Sequence, residues 1–183
     1  MSVVDEIFAG PGIFVWGIDE EGEEETNAIT FDLTQGGITF TTTTTYFEPT
    51  VDQTGTAPVK TIKTGMTGNV AFESPSIDYR KVVKFDRDVT EVVDATDNTK
   101  RKYNVTGLAG QVIAAKRALI KPQGIDDPNY YIYIARCSLK FDANYGFVLD
   151  NNLRMPVNAM AYPDLDATPK GLVYTWGDIT ATA

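Results

Sequence analysis

From Gly37 to Phe47 the chain reads G-I-T-F-T-T-T-T-T-Y-F, a run of β-branched and aromatic residues that suits a pleated strand and disfavours a helix. Alternation places Ile38, Phe40 and Tyr46 on one core-like face and Thr39, Thr41, Thr43 and Thr45 on the other, which is polar without charge. The same period returns downstream. Asn69 to Glu73 puts Val70 and Phe72 on one side, and Gln111 to Lys121 sets Val112, Ala114, Ala118 and Ile120 against Gln111, Arg117 and Lys121. Asn129 to Phe141 is apolar on both faces in its first half, with Tyr131, Tyr133, Ala135, Cys137 and Leu139 opposing Tyr130, Ile132 and Ile134. That pattern predicts a strand covered from both sides. Leu153 to Tyr162 and Gly171 to Trp176 complete the predicted strands.

One segment reads as a helix. Ser74 suits an N-cap, Pro75 the first helical position and Asp78 the first turn, while Ile77, Tyr79, Val82, Val83 and Phe85 supply an apolar stripe. Strands with a single covering helix predict an α+β, mainly β protein, a β-sandwich or partly open barrel. Turn residues place an acidic tip at Asp19 to Glu25, an extended loop at Thr50 to Gly68, a polar hairpin tip at Asp94 to Lys102 and a short turn at Gly124 to Pro128. The expected organisation is an N-terminal arm with its acidic loop over residues 1–26 and a single domain over 27–183.

The length of 183 residues fits about 100 to 200 per domain. Hydrophobic residues at 43% and charged ones at 22% are too apolar for a disordered chain. The 16 cations against 25 anions give a net charge of −9, which opposes non-specific binding to phosphate backbones and anionic lipid. No stretch approaches the ~20 continuous apolar residues of a membrane-spanning helix. Asp5 and Glu6 stand where a secretory signal carries cations, which predicts a protein made and kept in a cytoplasm unless an assembly carries it out.

Candidate chemistry is sparse. A chain with no histidine has no Ser-His-Asp or Cys-His nucleophile and no imidazole acid or base, and a single cysteine, Cys137, makes no intramolecular disulfide or C-x-x-C pair. Paired carboxylates, a Ser-Lys dyad or a metal held only by oxygen are what remain for an enzyme. Ser74, Ser76 and Ser138 sit in no nucleophile motif, and Thr64-Gly65-Met66-Thr67-Gly68 lacks the lysine and spacing of a phosphate loop. Oxygen ligands for calcium would come from Asp142, Asn144 and Asp150, or from Asp164 and Asp166, but neither set has a twelve-residue calcium loop, and turns explain them more simply. No catalysis and no cofactor are expected. The acidic tip is read as a solvated loop or a DNA-repelling surface, and Lys100-Arg101-Lys102 as a soluble tip or a seeker of carboxylates on another subunit. Tyr130, Tyr131 and Tyr133 offer rings for sugar stacking, yet alternation splits them, which favours packing.

The segments Gly36-Gly37-Ile38-Thr39-Phe40, Tyr46-Phe47-Glu48-Pro49-Thr50-Val51-Asp52-Gln53, Pro58-Val59-Lys60-Thr61-Ile62-Lys63-Thr64-Gly65 and Asn69-Val70-Ala71-Phe72, taken in this order, resemble the front half of the major tail tube proteins of long-tailed bacteriophages. Looser likeness lies in Ala9-Gly10-Pro11-Gly12-Ile13-Phe14-Val15-Trp16 and in Met155 to Asp164. Threonines follow the first strand where such proteins often carry charge.

The resemblance implies a β-sandwich with a flanking helix that assembles into hexameric rings, stacked as the tube through which a genome leaves the particle. It implies other tail proteins as partners (tape measure, tail terminator, distal tail), DNA passing without specific binding, no membrane, and a virion tail assembled in the host cytoplasm. In that setting Val51, Asp52, Gln53, Pro58, Val59 and Lys60 are expected inter-ring contacts, and Thr39, Thr41, Thr43 and Thr45 an expected wall or lumen face. The alternative is a β-sandwich binding module that recognises a glycan or host surface through exposed tyrosines; an oxygen-only metal hydrolase is a third reading.

Overall fold

The computed structural model describes residues 11–75, 78–107, 109–142 and 154–181. Along them lie β1 (Gly12–Ile18), β2 (Glu24–Phe31), β3 (Gln35–Phe47), β4 (Ile62–Ser74), α1 (Tyr79–Phe85), β5 (Val89–Val93), β6 (Arg101–Val105), β7 (Ala115–Pro122), β8 (Ile132–Phe141), β9 (Met155–Ala161) and β10 (Tyr174–Trp176). One antiparallel sheet runs β2-β1-β7-β8-β9-β4-β3, with β10 also on β8; β5 and β6 form a separate hairpin. Over the described residues the molecule is therefore mainly β with one flanking helix, as the sequence pattern predicts.

β8 is covered on both faces at its start, with Ile134 in the main core and Tyr133 on the smaller cluster around Leu119. An extra residue between Ile134 and Cys137 then shifts the alternation, so Cys137 and Leu139 join Ile132 and Ile134 on the main-core side instead of opposing them. Ile134 pairs with Ala118 of β7 and with Tyr174 of β10, while Cys137 pairs with Lys116 of β7 and Ala161 of β9. The sheet then curls until its two wings face each other. Phe72 of β4 lies 5.2 Å, centroid to centroid, from Phe14 of β1 and 5.1 Å from Phe31 of β2, although three strands separate β4 from β1 in the sheet. Among the described residues no ladder joins β2 to β3, so the result is sandwich-like and the barrel stays open. Val82 and Phe85 of α1 enter this core, Phe85 meeting Trp16 edge-on at 6.5 Å.

Several expected boundaries move. The N-terminal arm over 1–26 does not stand apart: residues 1–10 lie outside the described residues, but 12–18 form β1, inserted between β2 and β7, and residue 26 falls inside β2. The reason is local. Phe14 and Trp16 face the main core while Val15 and Ile18 face a smaller cluster with Leu119, so this strand too is covered on both sides. The acidic tip is the turn joining β1 to β2, shaped by the Asp19 carboxylate, which accepts the amides of Glu21 and Glu23 at 3.1 and 2.8 Å.

The helix starts later than its sequence suggests. Ser74 ends β4, buried and paired with Met155, and Asp78 is the N-cap, its carboxylate accepting the Arg80 amide at 3.0 Å. Ser76 and Ile77 lie outside the described residues. β4 begins at Ile62, which shortens the expected 50–68 loop, and β7 begins at Ala115, leaving Val112 exposed before it. Tyr130 belongs to a 3-10 turn ahead of β8, and Leu153 lies outside the described residues. The hairpin expected around the 94–102 tip is formed by β5 and β6, whose bounds the sequence does not mark, because five residues each with exposed valines give little periodic signal.

Candidate self-association surface

β3 is an edge strand of 13 residues with no charged side chain and no proline. Among the described residues it pairs only with β4. Natural edges are usually blunted by lysine, proline, shortness or a covering element, because unpaired N–H and C=O groups template another strand. β3 carries one such device, a bulge at its start. There Gly36 and Gly37 take φ of 80° and 82°, and three residues of β3 stand opposite Phe72 alone. From Thr39 onward the ladder with β4 is regular as far as Thr45.

β9 supports β4 only from Gly68 to Ser74. Beyond that, among the described residues, Ile62 to Thr67 pairs only with β3, so Thr43–Phe47 and Ile62–Thr67 run past β9 as a two-stranded ribbon about 16 Å long, its base still packed on the main core through Met66. Small hydrogen bonds brace it, such as Thr64 Oγ1 to Thr45 Oγ1 at 3.1 Å and Thr61 Oγ1 to Glu48 at 3.2 Å. A lone two-stranded ribbon is marginal in water, and this one carries exposed Tyr46, Phe47, Val51, Val59 and Ile62.

The ribbon's tip gathers the residues expected to touch a neighbouring ring. A bridge between Thr50 and Pro58, with the Val59 amide donating to the Pro49 carbonyl at 3.0 Å, sets Val51, Asp52 and Gln53 on one limb and Pro58, Val59 and Lys60 on the other. All six are exposed. Thr39, Thr41, Thr43 and Thr45 are exposed on one face of β3, as alternation predicts. The opposite face is core-like only at Ile38 and Phe40, with Phe40 edge-on to Tyr174 at 5.2 Å. Tyr46, assigned to that face, is 59% exposed, because the strand has by then run past β9 and a bulge at Thr64 shifts the register.

The far edge of the same sheet is different. α1 lies along β2, and Lys81 Nζ donates to the Thr30 carbonyl at 2.8 Å while Lys84 Nζ donates to the Ala28 carbonyl at 3.4 Å. Sequence reasoning missed both lysines and also Ile62 at the ribbon. Their roles depend on contacts between residues 51 and 56 apart, which no local pattern reports.

Elsewhere several charged groups are paired within the fold. Glu20 and Glu25 of the acidic tip pair with Arg117 and Lys116 of β7. Arg101 pairs with Glu91 at 2.6 Å, holding that carboxyl below its ordinary range, and Lys100 pairs with Asp97 at 3.5 Å, so two cations of the basic triplet find partners in their own hairpin. Tyr131 and Tyr133, centroids 6.2 Å apart, cover the Val15–Ile18–Leu119 cluster, and the Tyr133 ring lies under Gly22, where a Cβ would come within 2.8 Å. Asp164 accepts the Asp166 amide at 3.1 Å in a turn; Asn144 and Asp150 lie outside the described residues. No group of three or more Cys, Asp or Glu side chains among the described residues is placed to hold a metal.

Cys137 is fully buried, and desolvation pushes its thiol up to about 12. At pH 8 it stays a protonated thiol behind the sheet. An aromatic disulfide reagent should therefore label no thiol in the native protein and one per chain in guanidinium; prompt native labelling would contradict the buried placement.

Among the described residues no helix is long and apolar enough to cross a membrane. Compared with protein-family models and with curated proteins, the chain matches none.

Proposed function

We propose that this chain is a structural subunit that assembles with copies of itself, in the manner its sequence resemblance implies: rings, six copies each, stacked as the tail tube of a long-tailed bacteriophage. The observation that carries the reading is β3, a long uncharged edge left open by the described residues on a sheet whose other edge is occupied. Backbone groups on such an edge gain partners when a neighbour's strand is added, and a head-to-tail contact of this kind closes into a ring when the rotation per copy divides the circle.

The ribbon supplies a second, axial contact. Tyr46, Phe47, Val51, Val59 and Ile62 extend beyond the sheet, where seating against the next ring would bury apolar surface at about 25 cal/mol per Å² and stiffen a marginal element. The threonine face of β3 offers hydroxyls and no cations, and the chain's net charge is −9. Without phosphate neutralisation and counterion release, a duplex has no strong hold on such a wall.

Proline at Thr42 and, separately, at Thr43 tests the edge. Successive N–H groups of a strand point to opposite sides, so one proline removes a donor from the β4 ladder and the other removes only an outward donor. The ladder-side variant should lose thermal stability. The outward-side variant should melt close to the parent yet fail to form rings or tubes in negative-stain micrographs and sedimentation. Normal assembly by that variant contradicts strand addition at β3, and a parent protein that remains a single copy at every concentration removes the tube reading.

A further inference from the structure

The two ends of the sheet are unlike, and the difference is built by one helix. We infer that Lys81 and Lys84 of α1 guard the β2 edge, so that a copy of this chain accepts another copy's strand at β3 and refuses one at β2.

Ala28 and Thr30 are two residues apart on β2, so their carbonyls point to the same side of the strand. That side faces away from β1, because both carbonyls are taken by lysines of α1. An incoming strand needs these same acceptors in succession. Each is held by an ammonium, and strand addition would have to displace both and leave their charges in the new seam.

The guard cannot easily swing aside. Lys81 adjoins Val82 and Lys84 adjoins Phe85, and both apolar neighbours are buried in the main core. Lifting the helix exposes them. Three residues of helix advance about 4.5 Å and two of strand about 6.6 Å, a mismatch that flexible lysine stems absorb. Lys81 also rests over the Phe31 ring, 5.0 Å from its centroid, which fixes its stem beside the edge.

The β3 edge has no equivalent. Its 13 residues include no lysine, and no described helix lies along it. With β2 guarded, the strand that a neighbour adds at β3 is not its own β2, so sheets cannot extend edge to edge without limit, as two open edges would permit alongside closed rings. The one-way consequence rests on the strand-addition reading above; the guard itself does not.

The test is made on the full chain carrying the outward-side proline, in which β3 is blocked. K81M/K84M removes both ammonium groups and keeps apolar stems, with R80M, an exposed position on the same helix, as the control for added methionine. Sedimentation velocity should give single copies for the proline parent and R80M, and species of two or more copies for K81M/K84M. Hydrogen exchange should show new protection at the Ala28 and Thr30 amides in the associated species. K81S/K84S, too short to reach the carbonyls, should behave alike and serves if the methionine pair misfolds by circular dichroism.

Folded variants that stay single copies overturn the guard, as does association by R80M to the same extent. A protein without the proline that never associates removes the strand-addition reading alone, because the guard is read as a gain of association.

Discussion

Replacing Trp16 with alanine should lower unfolding free energy by about 5 kcal/mol, since truncating a buried aromatic costs roughly 3–5 kcal/mol and orphaning a buried acceptor adds about 1–3. Trp16 is 1% exposed, sits in β1 between β2 and β7, and meets Phe85 across the core. Its indole Nε1 donates to the Cys137 carbonyl at 2.8 Å, a buried bond between residues 121 apart. Against a total stability of about 5–15 kcal/mol, such a loss leaves little folded protein. Trp16→Phe separates the two parts: it keeps an aromatic ring near Phe85 and loses the donor, so its cost should be about 1–3 kcal/mol. Urea titration of both variants measures the split. A loss under 2 kcal/mol for the alanine variant would mean that Trp16 does not hold β1 in the sheet.

The second large effect is at the neighbouring residue. Gly17 has φ of 97° and forms a bulge where β1 carries one more residue than β7 between the Trp16–Ala118 and Ile18–Arg117 pairs. An added Cβ would stand 3.3 Å from the Ala28 Cα, a backbone atom of β2 that can move only with its strand. The conformational cost of about 1–2 kcal/mol and this crowding together predict a loss of about 2–4 kcal/mol for Gly17→Ala, and more for Gly17→Val. Gly36→Ala is the matched comparison, with φ of 80° and nothing within 4 Å of the added carbon. It should cost only the conformational part. Equal losses at the two glycines, measured by thermal melting, would show that the Ala28 contact is unimportant.

Periodicity reports what a residue does within its own element. Hence β3 and β9 are legible from the chain, β8 only as far as the bulge after Ile134, and the core stripe of α1 from Val82 and Phe85. β1 escapes such a reading for the same reason. Gly10-Pro11-Gly12 on one side and the acids of 19–25 on the other look like an arm, and nothing near Ile13 to Trp16 announces partners in β7 about 100 residues later. The ribbon tip was read from segments of a known kind, whereas the order of strands, and with it the contrast between the β3 and β2 edges, arises only when distant strands meet. Lysines that look like an ordinary solvated helix face then become the caps of a sheet edge.

The pairing of β1 with β7 also governs how the protein emerges from a ribosome. Residues 13–16 are made before their partners in β7 and the Cys137 carbonyl, which follow more than 100 residues later. At about 5–20 residues per second, this apolar stretch waits roughly 5–20 s for the far side of its sheet. Phe14 and Trp16 of a nascent chain therefore wait on β7 for that interval, and the two-winged core closes only once β7 and β8 have been made.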